Sequence, residues 1–407
     1  MLRPLKARDF ALLWGGLTVS MLGDGIYLVA LPFLVLHILN EPSALSAVGL
    51  AWTLPMVLLL VAGGIVTDRA DRRRVLIVSD LIRGGAVAAV GVLAVTAALE
   101  LWHLLALVAV YGAGEAFFGP AYGAIVPDVV PRNLLTEANA LNQFSRPLTF
   151  RLAGPGLGGL IVARFGPGVA MLIDAATFVL SAAAVAAMQR RQRAPGAGSS
   201  PSALAEIAEG WRFVRGRPWL WATLAAAAFG LLAYYGPFEV LVPYRVRNVL
   251  GGDAGDFGLI VALGGVGSLL GSAVMGQRGL PRHHITVTYL AWGTGTLAVA
   301  GFALSDELWA AMALSFYMGA CFTIGQIIWG TLMHVYVPSH ILGRVSALDW
   351  TVSIAFVPLS FALTGPAAES FGVDPTLTIA GFFGFAALLA FLFVPGVRAL
   401  EHQPASA

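Results

Sequence analysis

Apolar runs long enough to cross a bilayer follow one another along the whole chain. The first extends from Phe10 to Ile38. Eleven more lie at roughly 44–67, 75–98, 103–126, 136–163, 167–188, 219–244, 256–276, 285–304, 308–333, 344–366 and 375–396. A hydrocarbon core needs about 20 helical residues, so each run predicts one membrane helix. Most are interrupted by Gly or Pro, which membrane helices tolerate. The first run is too long for a signal-peptide core, contains Asp24 and lacks a small-residue cleavage site, so it is read as a retained helix.

The polar positions between the runs orient them. With both termini in the cytoplasm, eighteen basic residues fall on the inner side, including Arg3, Lys6, Arg8, Arg69, Arg72, Arg73, Arg74, Arg190, Arg191 and Arg193. Only Arg164, Arg245 and Arg247 fall outside, and Arg83, Arg146 and Arg151 lie within runs. That asymmetry fixes the orientation by the positive-inside rule. The longest polar stretch, Gln189 to Arg217, contains a Pro/Gly/Ser-rich segment from Ala194 to Pro201 and then a short amphipathic helix over 203–214, expected on the inner membrane surface. It separates a six-helix bundle over 1–189 from a second over 219–407, with 190–218 as linker.

The halves repeat. Val130 and Pro131 recur as Val337 and Pro338, and Trp14 and Gly23 as Trp221 and Gly230. Phe165 and Gly166 recur as Phe371 and Gly372, and Gly49 and Arg69 as Gly258 and Arg278. Such matches at an almost constant offset argue for duplication of a six-helix unit, the plan of transporters with a midplane site. The expected fold is an all-α membrane protein of twelve transmembrane helices in two pseudo-symmetric six-helix bundles.

Composition excludes other classes. Among 407 residues 58% are hydrophobic and 11% charged, less than half the charge of a typical soluble domain. The net charge of +2 gives no argument for nucleic acid. Cys321 is the single cysteine, so no intramolecular disulfide or cysteine-rich metal site is expected. Lys6 is the single lysine and follows no phosphate loop. ATP hydrolysis is therefore excluded, no cofactor is expected and an ion gradient must supply the energy. No HExxH motif is present and no histidine lies near the midplane beside a plausible serine nucleophile, so neither metal chemistry nor an enzyme is expected.

After the second run come Gly64, Asp68, Arg69, Arg72 and Arg73. Here the chain resembles the major facilitator superfamily, whose loop between helices 2 and 3 carries this motif; Asp71 stands where the general pattern has Gly. The motif reads as a conformational latch. Gly64 would let helix 2 approach a neighbour, Asp68 would cap a helix in the other half near 342–346, and the arginines would hold the aspartate ionised and contact the last carbonyls of facing helices. Gly154, Pro155, Gly158 and Gly159 are similar to the helix 5 signature of superfamily antiporters, suited to close packing on the eighth run with its Gly264, Gly265, Gly267 and Gly271. Leu22, Gly23 and Asp24, the stretch from Asp68 to Arg74, Asp80 with Arg83, the stretch from Phe118 to Ala121 and that from Glu137 to Leu141 together look like the bacterial drug:proton antiporter branch containing the enterobactin exporter and macrolide efflux proteins. The resemblance implies an exporter of small amphipathic molecules by proton antiport with alternating access, monomeric in the bacterial cytoplasmic (inner) membrane. An importer or facilitator of a small solute with the same fold is the alternative.

Ionisable groups at membrane depth are costly and mark candidate sites. Asp24 and Glu115 fall near the midplane and are the proton-coupling candidates, Asp24 first because Glu115 has Arg146 and Arg151 as possible counter-charges on the fifth run. Asp80 and Arg83, placed near the inner face, read as a local ion pair. Helical spacing groups Tyr27 with Asp24; Tyr111, Phe118 and Tyr122 with Glu115; Tyr235 with Glu239; and Gln326 with Trp329. These residues, with Arg146 and Asp349, are the candidate lining of a pocket for a small amphipathic molecule, although the Tyr111 and Trp329 stripes serve equally well as interhelical packing.

Overall fold

The computed structural model describes residues 2–189 and 203–402. It is helical throughout those residues: α1 (Arg8–Ile38), α2 (Pro42–Arg69), α3 (Arg72–Val95), α4 (Leu101–Val129), α5 (135–165), α6 (Pro167–Ala186), α7 (Pro218–Asn248), α8 (Ala254–Arg278), α9 (His284–Ala303), α10 (Leu308–Tyr336), α11 (Ser339–Phe371) and α12 (Val373–Leu392). Among the described residues eleven of these are long and apolar enough to cross a membrane. The remaining one, α5, is the fifth apolar run. It carries Arg146 and Arg151, and Pro147 interrupts its α-helical bonding. The chain answers with a π-helical stretch, Pro147–Ala153, between Leu135–Arg146 and Gly154–Phe165.

In the first bundle α1 packs on α6 and α5, α2 on α4, and α3 on α4 and α6; in the second, α8 packs on α10, α9 on α12 and α10, and α7 on α12 and α11. The outer surface carries large apolar side chains such as Leu58, Leu180, Trp309 and Phe382, which suits contact with lipid. The repeat has a local conformational basis. Gly166 (φ 84°, ψ 162°) joins α5 to α6, and Gly372 (φ 94°, ψ 160°) joins α11 to α12. Both are conformations that side chains resist. The irregular stretch of α5 has its counterpart in α11, which breaks at Phe356 between Ser339–Ala355 and Val357–Phe371.

The bundles meet at the end away from the chain termini. There Gly49 of α2 faces the Phe361 ring of α11, Gly365 faces Ser43 and Ser46, and Asn40 and Asn248 exchange hydrogen bonds of 2.6 and 3.0 Å. Along α5 and α8 the seam is backbone against backbone: Gly159 on the Ala254 carbonyl, Gly258 on that of Pro155, Gly265 on that of Arg151. Further toward the termini, α8 turns its glycines to its own bundle, Gly267 on the Phe316 carbonyl and Gly271 on that of Ala320. The four glycines expected to serve the α5 seam are thus divided, and only Gly265 does so. A bulky residue on this seam has nothing flexible to displace. Gly258→Leu is expected to prise the bundles apart at this end, lengthening distances between spin labels at positions 39 and 249 by several ångströms; unchanged distances would show that the seam yields.

The Pro/Gly/Ser-rich segment from Ala194 to Pro201 lies outside the described residues. The helix after it, Ala203–Arg215, packs against α11: Gly210 lies on Leu348 and Arg344, and Arg344 pairs with Glu209 at 2.5 Å.

Candidate functional site

Asp24 and Glu115 belong to a polar cluster inside the first bundle. The Tyr111 hydroxyl donates to Asp24 Oδ1 at 2.9 Å, and Trp52 Nε1 donates to Glu115 Oε2 at 2.7 Å. The Tyr27 ring stacks on Tyr111 at 5.0 Å, and Trp52 stands edge-on to both. Glu115 thus takes its hydrogen bond from α2. The charge shared with Asp24 is Arg83 on α3, whose field reaches both carboxyl groups; the α5 arginines expected opposite Glu115 do not fill that role.

Arg83 holds Asp80 at 2.5 Å, as the i, i+3 spacing suggests, but at mid-depth and buried rather than near the inner face. The helix starts at Arg72, capped by Asp71, three residues before the apolar run. Arg83 is therefore about 16 Å along a 24-residue helix. Its guanidinium lies over the Phe118 and Phe178 rings, 4.3 and 4.5 Å from their centroids. Asp174, fully buried on α6, backs onto Gly23 beside Asp24 and has one carboxylate oxygen without a hydrogen-bond partner. An arginine in the middle of an apolar run was the available signal for this cluster.

The other candidates divide by burial. Tyr27, Tyr111 and Trp329 are buried; Phe118, Tyr122, Tyr235, Glu239 and Asp349 are half-buried; Arg146 and Gln326 are exposed. Trp329 packs between Trp219 and Trp292 and donates to Asp349 Oδ2 at 3.1 Å. Its stripe therefore packs helices together, while Gln326, three residues earlier, lies open. Tyr122 donates to the Asn142 amide oxygen at 3.0 Å. Cys321 is buried against Thr294 and Gly295 of α9, which makes it a poor reporter of access. Gln326→Cys in a Cys321→Ser background is expected to react with impermeant maleimide from the terminus side, with the rate falling at least severalfold when substrate shifts the conformation; labelling from both sides at once would indicate a channel.

In the motif between α2 and α3, Arg72 donates to the Ala124 carbonyl at 2.8 Å and pairs with Asp128 at 2.6 Å, both on α4. Arg73 donates to the last carbonyls of α6, Val185 at 2.9 Å and Ala186. These bonds place positive charge at the negative end of a helix dipole. Asp68 and Arg69 are exposed. Gly64 does not make the close approach expected of it: a Cβ there would meet nothing within 4 Å, whereas one at Gly63 would strike the Ala116 carbonyl of α4. One residue is 100° of helix, enough to exchange the two roles.

A second polar group lies between the bundles. Arg151, on the π-helical stretch of α5, reaches the Tyr234 hydroxyl, and its charge acts on Glu239. Glu239 sits on another π-helical stretch, Pro237–Leu241 of α7.

The model of the transmembrane secretion effector family matches residues 1–406. The chain is 31% identical over 408 residues to the multidrug efflux pump Tap of Mycolicibacterium fortuitum, covering 96% of each. It is 24% identical over 387 residues to macrolide efflux protein A of Streptococcus pyogenes, covering 91% of this chain and 92% of that one. Among solved structures, the nucleoside transporter NupG superposes with a TM-score of 0.70 at 12% identity, over 97% of this chain and all of that one. A bacterial homologue of the iron transporter ferroportin, in an inward-facing state, gives 0.69 at 15% identity over 95% and 99%. These similarities to solved structures are ones of fold. The matched family, together with the two-bundle fold, identifies the chain as a member of the transmembrane secretion effector family of the major facilitator superfamily.

Proposed function

We propose that this transporter exports small amphipathic molecules from the bacterial cytoplasm by proton antiport. It acts as a monomer in the inner membrane with both termini cytoplasmic. The supporting observation is the Asp24 carboxyl at mid-depth, hydrogen-bonded to Tyr111 and flanked by Arg83 in the bundle that must move against its partner. A carboxyl so placed exchanges protons with whichever side is open, and the same rocking of the bundles presents substrate to the other. The bundles touch at the far end, while further toward the termini α8 turns its glycines to its own bundle, an arrangement that fits a cytoplasm-open state in this orientation. Arg146, Gln326, Tyr235 and Asp349 then meet the incoming molecule.

The named pumps among its relatives favour export over uptake. The test is transport of ethidium in proteoliposomes with an imposed proton gradient. Gradient-dependent movement that collapses with a protonophore supports the reading, whereas ethidium flux indifferent to the gradient removes proton coupling. In the same assay Asp68→Asn is expected to slow turnover about tenfold with binding retained, because the motif biases a conformational equilibrium; wild-type turnover would exclude it from the mechanism.

A further inference from the structure

Two cavities lie between the bundles, and Glu239 and Leu28 line both. One, of about 20 Å³, is bounded on its polar side by Arg151, Tyr234, Glu239 and Ser315. The other, of about 40 Å³, reaches from Glu239 to Tyr27 and Trp52. A drug-sized ligand needs about 300 Å³ or more, whereas a water molecule needs only about 10–15 Å³ with two or more polar partners. Each space is large enough for water. Tyr27 and Glu239, expected from sequence to touch substrate, stand on either side of a water-sized gap.

The Tyr27 hydroxyl is buried without a hydrogen-bond partner, an arrangement that normally marks a site for ordered water. Tyr27 lies one helical turn from Asp24 and stacks on the tyrosine that donates to it. Trp52, on the same cavity, donates to Glu115. On the opposite side Arg151 is exposed and lines the smaller cavity. Glu239 thus stands between exposed Arg151 on one cavity and the cluster of the first bundle on the other. Both Arg151 and Glu239 occupy π-helical stretches, which recur at functional positions because the extra residue frees local backbone groups.

We propose that Glu239 is a proton-binding carboxyl of the second bundle, joined by cavity water to the Tyr27 hydroxyl at the edge of the Asp24 and Glu115 cluster. This rests on the proton-coupled reading above and adds a proton site in the second bundle that faces the cluster of the first. In each transfer a Glu239 O–H bond breaks as a cavity-water O–H forms, and the extra proton stays on that water, which donates a hydrogen bond to the Tyr27 oxygen; a proton moves and no electron is exchanged. The groups facing Glu239 are Tyr27 from α1, Arg151 from α5, and Tyr234 and Tyr235 on its own helix. The cavities' α2, α8, α10 and α11 walls contribute Trp52, Val261, Ser315 and Phe361, none of them charged.

The test is infrared difference spectroscopy of the purified full chain in lipid, recorded between two pH values and repeated in H2 18O to identify water bands. Glu239→Gln is expected to remove one titrating carboxyl band. Tyr27→Phe, which keeps Glu239, is expected to shift that band, and the same isotope-sensitive water O–H band should disappear in both variants. A full set of titrating carboxyl bands in Glu239→Gln would overturn the proposal, as would a water band lost in one variant and kept in the other. Because no transport is measured, failure here is distinct from failure of the ethidium assay, which would remove proton-coupled export itself.

Discussion

Asp24→Asn is expected to abolish uphill, proton-driven efflux while downhill exchange of substrate survives. The substitution preserves size and leaves an acceptor for the Tyr111 hydroxyl, which donates at 2.9 Å in the native chain, so the helices keep their packing. What it removes is the capacity to lose and regain a proton. In the proton-antiport reading proposed above, this carboxyl carries the proton. Accumulation measured with and without an imposed proton gradient separates the outcomes: gradient-driven efflux at the wild-type rate and pH profile would move the coupling role elsewhere. Glu115→Gln is expected to act differently, weakening cationic substrates more than neutral ones, since its partner is the neutral Trp52 indole.

Arg83→Met is expected to damage the fold itself. The guanidinium is buried, holds Asp80 at 2.5 Å and is sandwiched between Phe118 and Phe178. Its removal strands a carboxylate in the interior, a loss of about 3–5 kcal/mol, which should appear as a large fall in folded yield and thermal stability in detergent. The double variant Asp80→Asn with Arg83→Met should recover much of that loss, because a neutral pair of similar volume is often tolerated where a broken one is not. Equal instability in both variants would show that the arginine matters through its packing against the rings rather than through its charge.

The twelve-run pattern was legible because a bilayer imposes a length on every apolar segment. The duplication was legible because Gly166 and Gly372 occupy the same left-handed corner of two equivalent turns, a conformation that singles out glycine wherever it recurs. Facing partners were not legible. Spacing along a helix tells which residues share a face but not which helix that face meets, so the sequence offers the α5 arginines to Glu115 whereas its donor is Trp52 of α2. The depth of Arg83 is hidden because apolar residues begin at Val75, whereas backbone helicity begins three positions earlier under the Asp71 cap. The exchange of Gly63 for Gly64 has the same origin: helical phase accumulates 100° per residue, and the sequence does not announce the phase. The facing of Arg151 and Glu239 across the bundles depends on two local π-helical stretches, which no periodicity of 3.6 anticipates.

The backbone seam between α5 and α8 governs how the halves can move. Gly159, Gly258 and Gly265 present bare main chain to main chain, so this contact has no interlocking side-chain teeth of the kind that make most helix pairs move in discrete notches. At these glycines it behaves as a plain bearing: main chain can turn on main chain, while the separation there stays fixed by the contact of the two chains. Motion at this joint is therefore smooth in angle and rigid in distance. The steps that hold one state or another must then arise elsewhere, as where the Phe361 ring of α11 meets Gly49 of α2 across the bundles.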